Sequence, residues 1–433
     1  MANGFIIAAP QSGSGKTTLT LGLLRALTLA GEPVRSAKAG PDFIDPAFHA
    51  AATGADCVNL DPWAMRPDLL QQLAAGDGVP LIVEAMMGLF DGGADGRGSA
   101  ADLAVLLQLP VILVVDAAKQ SHSIAALVAG FRDHRADIVI AGVVLNRVGS
   151  PRHEMMLREA LDAINMPVFG CVGRHETLEL PSRHLGLVQA REHGGLDEFL
   201  DAAAGHMRAG LDVEALMQLA KAEATGPKDV PEAPPLAPPG QRVAVAHDDS
   251  FAFVYPHLLD GWRRHGAEIH LFSPLADETP DPAADAVYLP GGYPEMFAGR
   301  LAANEKFLAG LRQAALNGAF VYGECGGYMV LGEALVDASG TSHPMADLLP
   351  LVTSFEHRKL HLGYRLARPT TSLPFADDSV VLTAHEFHYS TIVKQEGEIP
   401  LFEAHDARGE SLGACGLRQG NVAGSYLHLI DRR

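Results

Sequence analysis

Two stretches carry residue types whose spacing could do chemistry. The first is Ala9-Pro10-Gln11-Ser12-Gly13-Ser14-Gly15-Lys16-Thr17-Thr18, which follows an apolar run and opens the amphipathic stretch Leu19 to Leu29. Glycines before a lysine at a helix start let backbone N–H groups turn around phosphate oxygens. There Lys16 reaches the outer phosphates and the Thr17 hydroxyl can ligate Mg²⁺. Gly13, Ser14, Gly15, Lys16, Thr17 and Thr18 are therefore the expected phosphate-binding residues, although Pro10 stands where such loops usually begin with glycine. The second stretch is Tyr322-Gly323-Glu324-Cys325-Gly326-Gly327-Tyr328. Small residues around Cys325 permit a tight strand-to-helix turn, and the helix start is expected to lower the thiol pKa, making Cys325 a thiolate nucleophile.

Around these two stretches lie supporting groups. Asp42 and Asp45 fall in Lys38-Ala39-Gly40-Pro41-Asp42-Phe43-Ile44-Asp45-Pro46, where they either hold Mg²⁺ and position a reactant or simply cap the following helix. Glu84 closes the apolar run Leu81 to Glu84, where an acid is costly without a metal or a partner. Asp91 sits in the turn beyond it, and Asp116 and Asn146 end two further apolar runs. Thr17, Asp45 and Glu84 form the expected metal set. His428, in Gly424-Ser425-Tyr426-Leu427-His428, is a base for Cys325, and Gly291 and Gly292 offer N–H groups for an oxyanion or else make an ordinary turn.

These groups need a scaffold, and the pattern supplies one. Short runs rich in Val and Ile (residues 5–9, 81–84, 111–116, 138–145 and 167–172) alternate with helical stretches, the rhythm of a parallel sheet with crossover helices. It restarts at 242–246, 268–271, 286–289 and 319–322, with helices expected over 251–265 and 301–316. Between them the proline-rich segment Thr225 to Gln241 reads as a tether. The expected organisation is a P-loop domain over 1–224, a linker over 225–241 and a second α/β domain over 242–433. The formal net charge of −19 argues against a nucleic-acid partner. No apolar run reaches membrane-spanning length, and four cysteines without a CxxC pair fit a reducing cytoplasm. A homodimer is the default for a large soluble enzyme.

Taken together, SGSGKTT, KAGPDFIDP, VEAMMGLFDG, VVLNRV, PGGYPE, YGECGGYM and GSYLH resemble, in order and over nearly the whole chain, the cobyrinic acid a,c-diamide synthase family. The resemblance implies a dethiobiotin-synthetase-like ATP-binding half and a flavodoxin-like, triad-type glutamine amidotransferase half. Its substrates would be ATP, glutamine and a corrin carboxylic acid, either cobyrinic acid or metal-free hydrogenobyrinic acid, amidated at the a- and c-acetates. It further implies that Cys325 is the glutaminase nucleophile and His428 its base, that Asp42, Asp45, Glu84 and Asp91 serve metal binding or amidation, and that Asn146 contacts adenine. Triad enzymes usually place Glu two residues after the histidine, and here Ile430 stands there. Two rivals remain open: amidation of another tetrapyrrole such as nickel sirohydrochlorin, and a non-catalytic P-loop nucleotide switch.

Overall fold

The computed structural model describes residues 3–433 except 77, 176–177, 179–181, 184–185, 188, 193, 223–232, 234 and 398. Most of the expected tether, residues 225–241, thus lies outside the described residues. The chain divides into two compact units, one of residues 1–63, 67–92 and 96–233, the other of residues 64–66, 93–95 and 234–433.

The first unit is built on a seven-stranded sheet. Its strands run Val58–Leu60, Arg35–Ala39, Leu81–Glu84, Gly4–Ala8, Val111–Asp116, Ile140–Val148 and Val168–Gly173 from edge to edge, and every pairing is parallel. Parallel strands need covering on both faces, so they read as continuous apolar runs rather than alternating ones. Gly4–Ala8 and Leu81–Glu84 are accordingly buried at every position. Local signals start the helices: Ser99 and Asp102 form a capping box before Ala100–Leu107, and Ser150 caps Pro151–Asp162 with proline in its first turn. The helix Lys16–Leu29 lies close to Leu196–Gly210 because Gly22 has no side chain; a Cβ there would stand 2.8 Å from the Ala203 carbonyl oxygen.

The second unit holds a six-stranded sheet ordered Glu268–Phe272, Arg242–Ala246, Ala286–Leu289, Phe320–Glu324, Val422–Ser425 and Leu417–Gln419. The first five strands are parallel and the last is antiparallel. Two further layers follow in the chain, the first mixed, since Ala334–Val336 pairs parallel with Leu351–Ser354, and the second antiparallel throughout. One comprises Ser342–Pro344, Ala334–Val336, Leu351–Ser354 and Thr391–Gln395; the other comprises Ser411–Cys415, Phe402–Asp406, His361–Pro369, Leu382–His388 and Leu427–Arg432.

Two helices differ from expectation. The one expected over 251–265 begins only at Pro256, because Phe253 instead donates its N–H to the Gly291 carbonyl at 3.0 Å. The one expected over 301–316 divides at Asn304, whose side-chain amide donates to the Pro274 carbonyl at 2.7 Å, leaving Ala298–Ala303 and Glu305–Leu316.

Candidate active site

In the first unit the chain leaves Gly4–Ala8 and turns into Lys16–Leu29 through Gly13 and Gly15, both at positive φ (78° and 90°). Only glycine takes that backbone readily. Ser14 folds back on the loop, its hydroxyl donating to the Gln11 carbonyl at 2.9 Å. Asn146, from the end of Ile140–Val148, donates its side-chain amide to the Ser14 carbonyl at 2.8 Å. The structure thus gives Asn146 a brace on the loop. Thr18 donates to the Leu178 carbonyl at 3.4 Å. A cavity of about 250 Å³ opens beside Gly15, Thr18, Asn146, Gly173 and Arg174.

Beneath the loop lies a buried charged cluster centred on Glu84. Its Oε1 accepts the Thr17 hydroxyl at 2.6 Å and the Lys38 ammonium at 2.8 Å, and its Oε2 meets His49 Nε2 at 2.8 Å. Lys38 also donates to Asp45 at 2.5 Å, so an ammonium stands between two of the three groups expected to hold a metal. Burial alone would neutralise these groups, but their mutual attraction outweighs it. Desolvation opposes the charges of Glu84 and Lys38, yet the Lys38 ammonium and His49 hold the carboxyl well below its usual range, and Asp45 with Glu84 raises Lys38. Burial likewise disfavours a charge on His49, yet Cys57 and Glu84 raise it to about 10. Asp45 is pushed up to about 6 by burial and by the neighbouring Asp42 charge, against the pull of Lys38.

Lys16 points elsewhere, donating to the Met87 carbonyl at 2.6 Å, and burial lowers its pKa to about 8. Asp42 turns its Oδ1 onto the N–H groups of Ile44 and Asp45 at 2.8 and 3.1 Å, holding the turn that leads into Asp45–Thr53. Asp91 accepts the Gly88 N–H at 2.8 Å within its own turn, and Asp116 pairs with Arg147.

In the second unit Cys325 joins Phe320–Glu324 to the helix Gly326–Leu331 at φ 47°, the tight turn expected from its small neighbours. Its N–H donates to the Ser425 carbonyl at 2.8 Å, and its sulfur points toward the Phe387 carbonyl at 4.0 Å. Gly291 and Gly292 close the site. A Cβ on Gly291 would stand 2.3 Å from His428 Cε1, and one on Gly326 would stand 3.0 Å from the Gly292 nitrogen. The glycine pair, the residue after the nucleophile and the histidine are therefore in contact.

The expectation of a preformed thiolate does not hold. Burial pushes the Cys325 thiol up, with the Glu295 charge adding to it, and a six-residue helix start does not offset desolvation. Burial together with His385 and His388 lowers His428 to about 3, so thiol and imidazole are both neutral.

Residues 5–188 match the model of the CobQ/CobB/MinD/ParA nucleotide binding domain, and residues 242–433 that of the CobB/CobQ-like glutamine amidotransferase domain. Over its whole length the chain is similar to proteins named hydrogenobyrinate a,c-diamide synthase. It is 58% identical over 434 residues to that of Brucella abortus biovar 1 (99% of this chain, 98% of the relative). It is 59% identical over 432 residues to that of Sinorhizobium sp (99% of each) and 51% over 437 residues to that of Mesorhizobium japonicum (100% and 99%). The chain belongs to the a,c-diamide synthase family.

As a member of the a,c-diamide synthase family the chain is an amide-forming, glutamine-amidotransferase-type enzyme, and its nucleotide-binding domain makes ATP a ligand of the first unit. No helix among the described residues is long and apolar enough to cross a membrane. Three groups in these sites escaped sequence reasoning. Lys38 lies in a strand buried at four of its five positions, and a lysine in such a strand signals a buried acid. His49, on Asp45–Thr53, had no such signal. Glu324, just before the nucleophile, accepts the Tyr288 hydroxyl at 2.8 Å and the Leu429 N–H at 3.2 Å, so it grips the strand that carries His428. Burial raises Glu324 to about 8. At position 430 the Ile side chain is buried and its carbonyl accepts the His257 Nε2–H at 2.9 Å.

Proposed function

We propose that this a,c-diamide synthase amidates the a- and c-acetate carboxylates of hydrogenobyrinic acid, using glutamine as nitrogen donor and ATP as activator. The observation that carries the reading is the pairing on one chain of a phosphate loop, braced over the Glu84 cluster, with a cysteine elbow packed against a glycine pair that also contacts a histidine. The metal-free corrin is favoured by the name that all the relatives above carry, hydrogenobyrinate a,c-diamide synthase.

A carboxylate resists attack because its charge is delocalised and oxide is a poor leaving group. Transfer of the terminal phosphoryl of ATP to one carboxylate oxygen gives an acyl phosphate and ADP. Ammonia then displaces phosphate to leave the amide. In this reading the Gly13 to Thr18 backbone cradles the phosphates, and Lys16 leaves the Met87 carbonyl to neutralise the transferring group. Glu84 and Lys38 hold the floor of the site. The hydroxyl of Thr17, oriented by Glu84, fits an Mg²⁺ ion, which would supply charge neutralisation on the phosphates. Asp45 and Asp91 border that floor, where a substrate group or its metal would lie.

In the glutaminase half, Cys325 attacks the glutamine side-chain amide. Its proton passes to His428 as the C–S bond forms rather than beforehand, since both partners start neutral. Backbone N–H groups near Gly291 and Gly292 face the oxyanion. Ammonia departs with the proton from His428, and water cleaves the thioester to glutamate. ATP and glutamine are cytoplasmic metabolites, and the four free cysteines suit the same compartment.

The test is to incubate the protein with ATP, Mg²⁺, glutamine and either hydrogenobyrinic or cobyrinic acid, following product mass, glutamate and ADP. Two successive amidations of hydrogenobyrinic acid are expected. Turnover of cobyrinic acid alone, or of neither corrin while glutamine is hydrolysed, would refute the assignment.

A further inference from the structure

Beside Cys325, whose sulfur faces the Phe387 carbonyl, the antiparallel pair His361–Pro369 and Leu382–His388 gathers three metal-ligating side chains on one face. His361 lies directly opposite His388 in the ladder, and Glu386 is two residues before His388. In a strand, residues i and i+2 project from the same face, and a directly opposed residue on the neighbouring strand projects with them. One ligand atom from each of His361, Glu386 and His388 accordingly lies within 4.8 Å of the others. Tetrahedral coordination at about 2.1 Å per bond needs separations of roughly 3.4 Å, so binding an ion requires the His361 ring to turn out of its present stacking on His388.

The surroundings orient these groups. His388 Nδ1 lies 3.1 Å from the Ser390 carbonyl and 3.3 Å from the Ser390 hydroxyl, and its Nε2 lies 3.1 Å from Glu386 Oε1. The other Glu386 oxygen is held by Arg365 at 2.7 Å. Arg365 reaches it across Gly363, the residue opposite Glu386, where a Cβ would stand 2.7 Å from the guanidinium. A carbonyl behind the histidine and an arginine behind the carboxylate are the outer contacts that fix metal ligands. The His388 ring is further held by stacking on Tyr426 at a centroid distance of 3.7 Å. All three groups line a cavity of about 360 Å³, shared with Lys359, Cys415 and Tyr426, which leaves room for a further ligand.

We propose that His361, Glu386 and His388 bind one divalent transition-metal ion of the zinc class, with an open coordination position facing this cavity. Two imidazoles and a carboxylate form a ligand set that zinc accepts with a fourth position free, and neither Mg²⁺ nor Ca²⁺ favours it. Tyr426 stacks on His388 and packs edge-on against Tyr328, which lies on the helix begun by Cys325, so the ion would stiffen the backing of the nucleophile.

The test uses the full chain, stripped with chelator and titrated with Zn²⁺ without nucleotide, with bound metal read by equilibrium dialysis and elemental analysis. Co²⁺ serves as a second probe through its visible absorption. One equivalent of Zn²⁺ and tetrahedral-type Co²⁺ bands are expected. Binding should weaken more than about tenfold in both His361→Ala and Glu386→Gln, since even outer contacts of a metal are worth that much. His361 is half-exposed, so its replacement leaves the strand pairing intact. A wild-type protein that retains no Zn²⁺ would overturn the proposal and leave His388 and Glu386 as a hydrogen-bonded pair. Binding unchanged in His361→Ala would overturn it equally.

Discussion

The Thr17 hydroxyl donates to Glu84 at 2.6 Å, tying the first turn of the phosphate-loop helix to the end of a strand 67 residues away. The same carboxylate neutralises Lys38 and meets His49 with no exposure of its own. One side chain thus sets both the loop geometry and the charge balance beneath it. Glu84→Ala should destabilise the first unit by about 3–5 kcal/mol, the usual consequence of leaving a buried partner charge uncompensated. Denaturant unfolding followed through Trp63, with Trp262 replaced by Phe, measures this; a loss under about 1 kcal/mol would remove Glu84 from the centre of the cluster.

Gly15→Ala strains the loop twice. Position 15 has φ 90°, and an added Cβ would fall 2.2 Å from the Asn146 side-chain nitrogen. ATP affinity should fall by more than about tenfold, corresponding to roughly 1.4 kcal/mol, while glutamine hydrolysis is unchanged. Calorimetric titration and a glutaminase assay on the same preparation separate the two.

At the other site Gly291→Ala should do the converse. Its Cβ would displace the His428 ring, abolishing glutamine-dependent amidation and sparing the ammonia-dependent reaction. Cys325→Ala should give the same kinetic pattern for a different reason, loss of the nucleophile. Because Cys325 sits at φ 47°, Cys325→Gly should be more stable than Cys325→Ala by about 1 kcal/mol, as the backbone strain is relieved. Equal melting behaviour of the two variants would argue against strain at the elbow.

The pH response carries the sign of a buried neutral acid. Glu324 is raised from 4.5 to about 8, so burying it is favourable while the unfolded chain is also protonated, and that contribution is lost as pH rises from about 4.5 through 8. His428 and His385, lowered to about 3 and 4, act in the opposite sense, their contribution being lost as pH falls from about 6.5. Between pH 6.5 and 8 the glutamate effect stands apart from theirs. Over that interval Glu324→Gln should avoid a loss of about 2 kcal/mol that the parent suffers, at a little over 1 kcal/mol per pH unit. Unfolding read by Trp262, with Trp63 replaced by Phe, reports it; parallel pH profiles for the two proteins would refute the assignment.

How much of this was legible in the sequence depended on how local the signal was. The parallel sheets were, since strands such as Leu81–Glu84 and Val111–Asp116 are uninterrupted apolar runs between turns. The phosphate loop and the cysteine elbow were too, because each needs glycines at fixed offsets within a few residues. The layers built from residues 334–415 were not read, as their strands pair across long separations and half of their side chains face outward; Thr391–Gln395 has no buried position. The charge state of Cys325 was misjudged for a related reason. A helix start is visible in sequence, whereas the desolvation that outweighs it comes from surrounding strands distant along the chain. Lys38, Asp45 and Glu84 likewise became a cluster only when three separate elements met.

Lys16 has a further consequence. Resting on the Met87 carbonyl with a pKa near 8, it is partly deprotonated in mildly alkaline solution. A polyphosphate arriving in the loop favours its cationic form, so the protein must take up a fraction of a proton from the buffer as the nucleotide seats. The measured heat of ATP binding at pH 8 should then vary with the ionisation enthalpy of the buffer, and this dependence should vanish below about pH 6.5, where Lys16 is already charged. Nucleotide capture by this loop is in that sense a proton-coupled event.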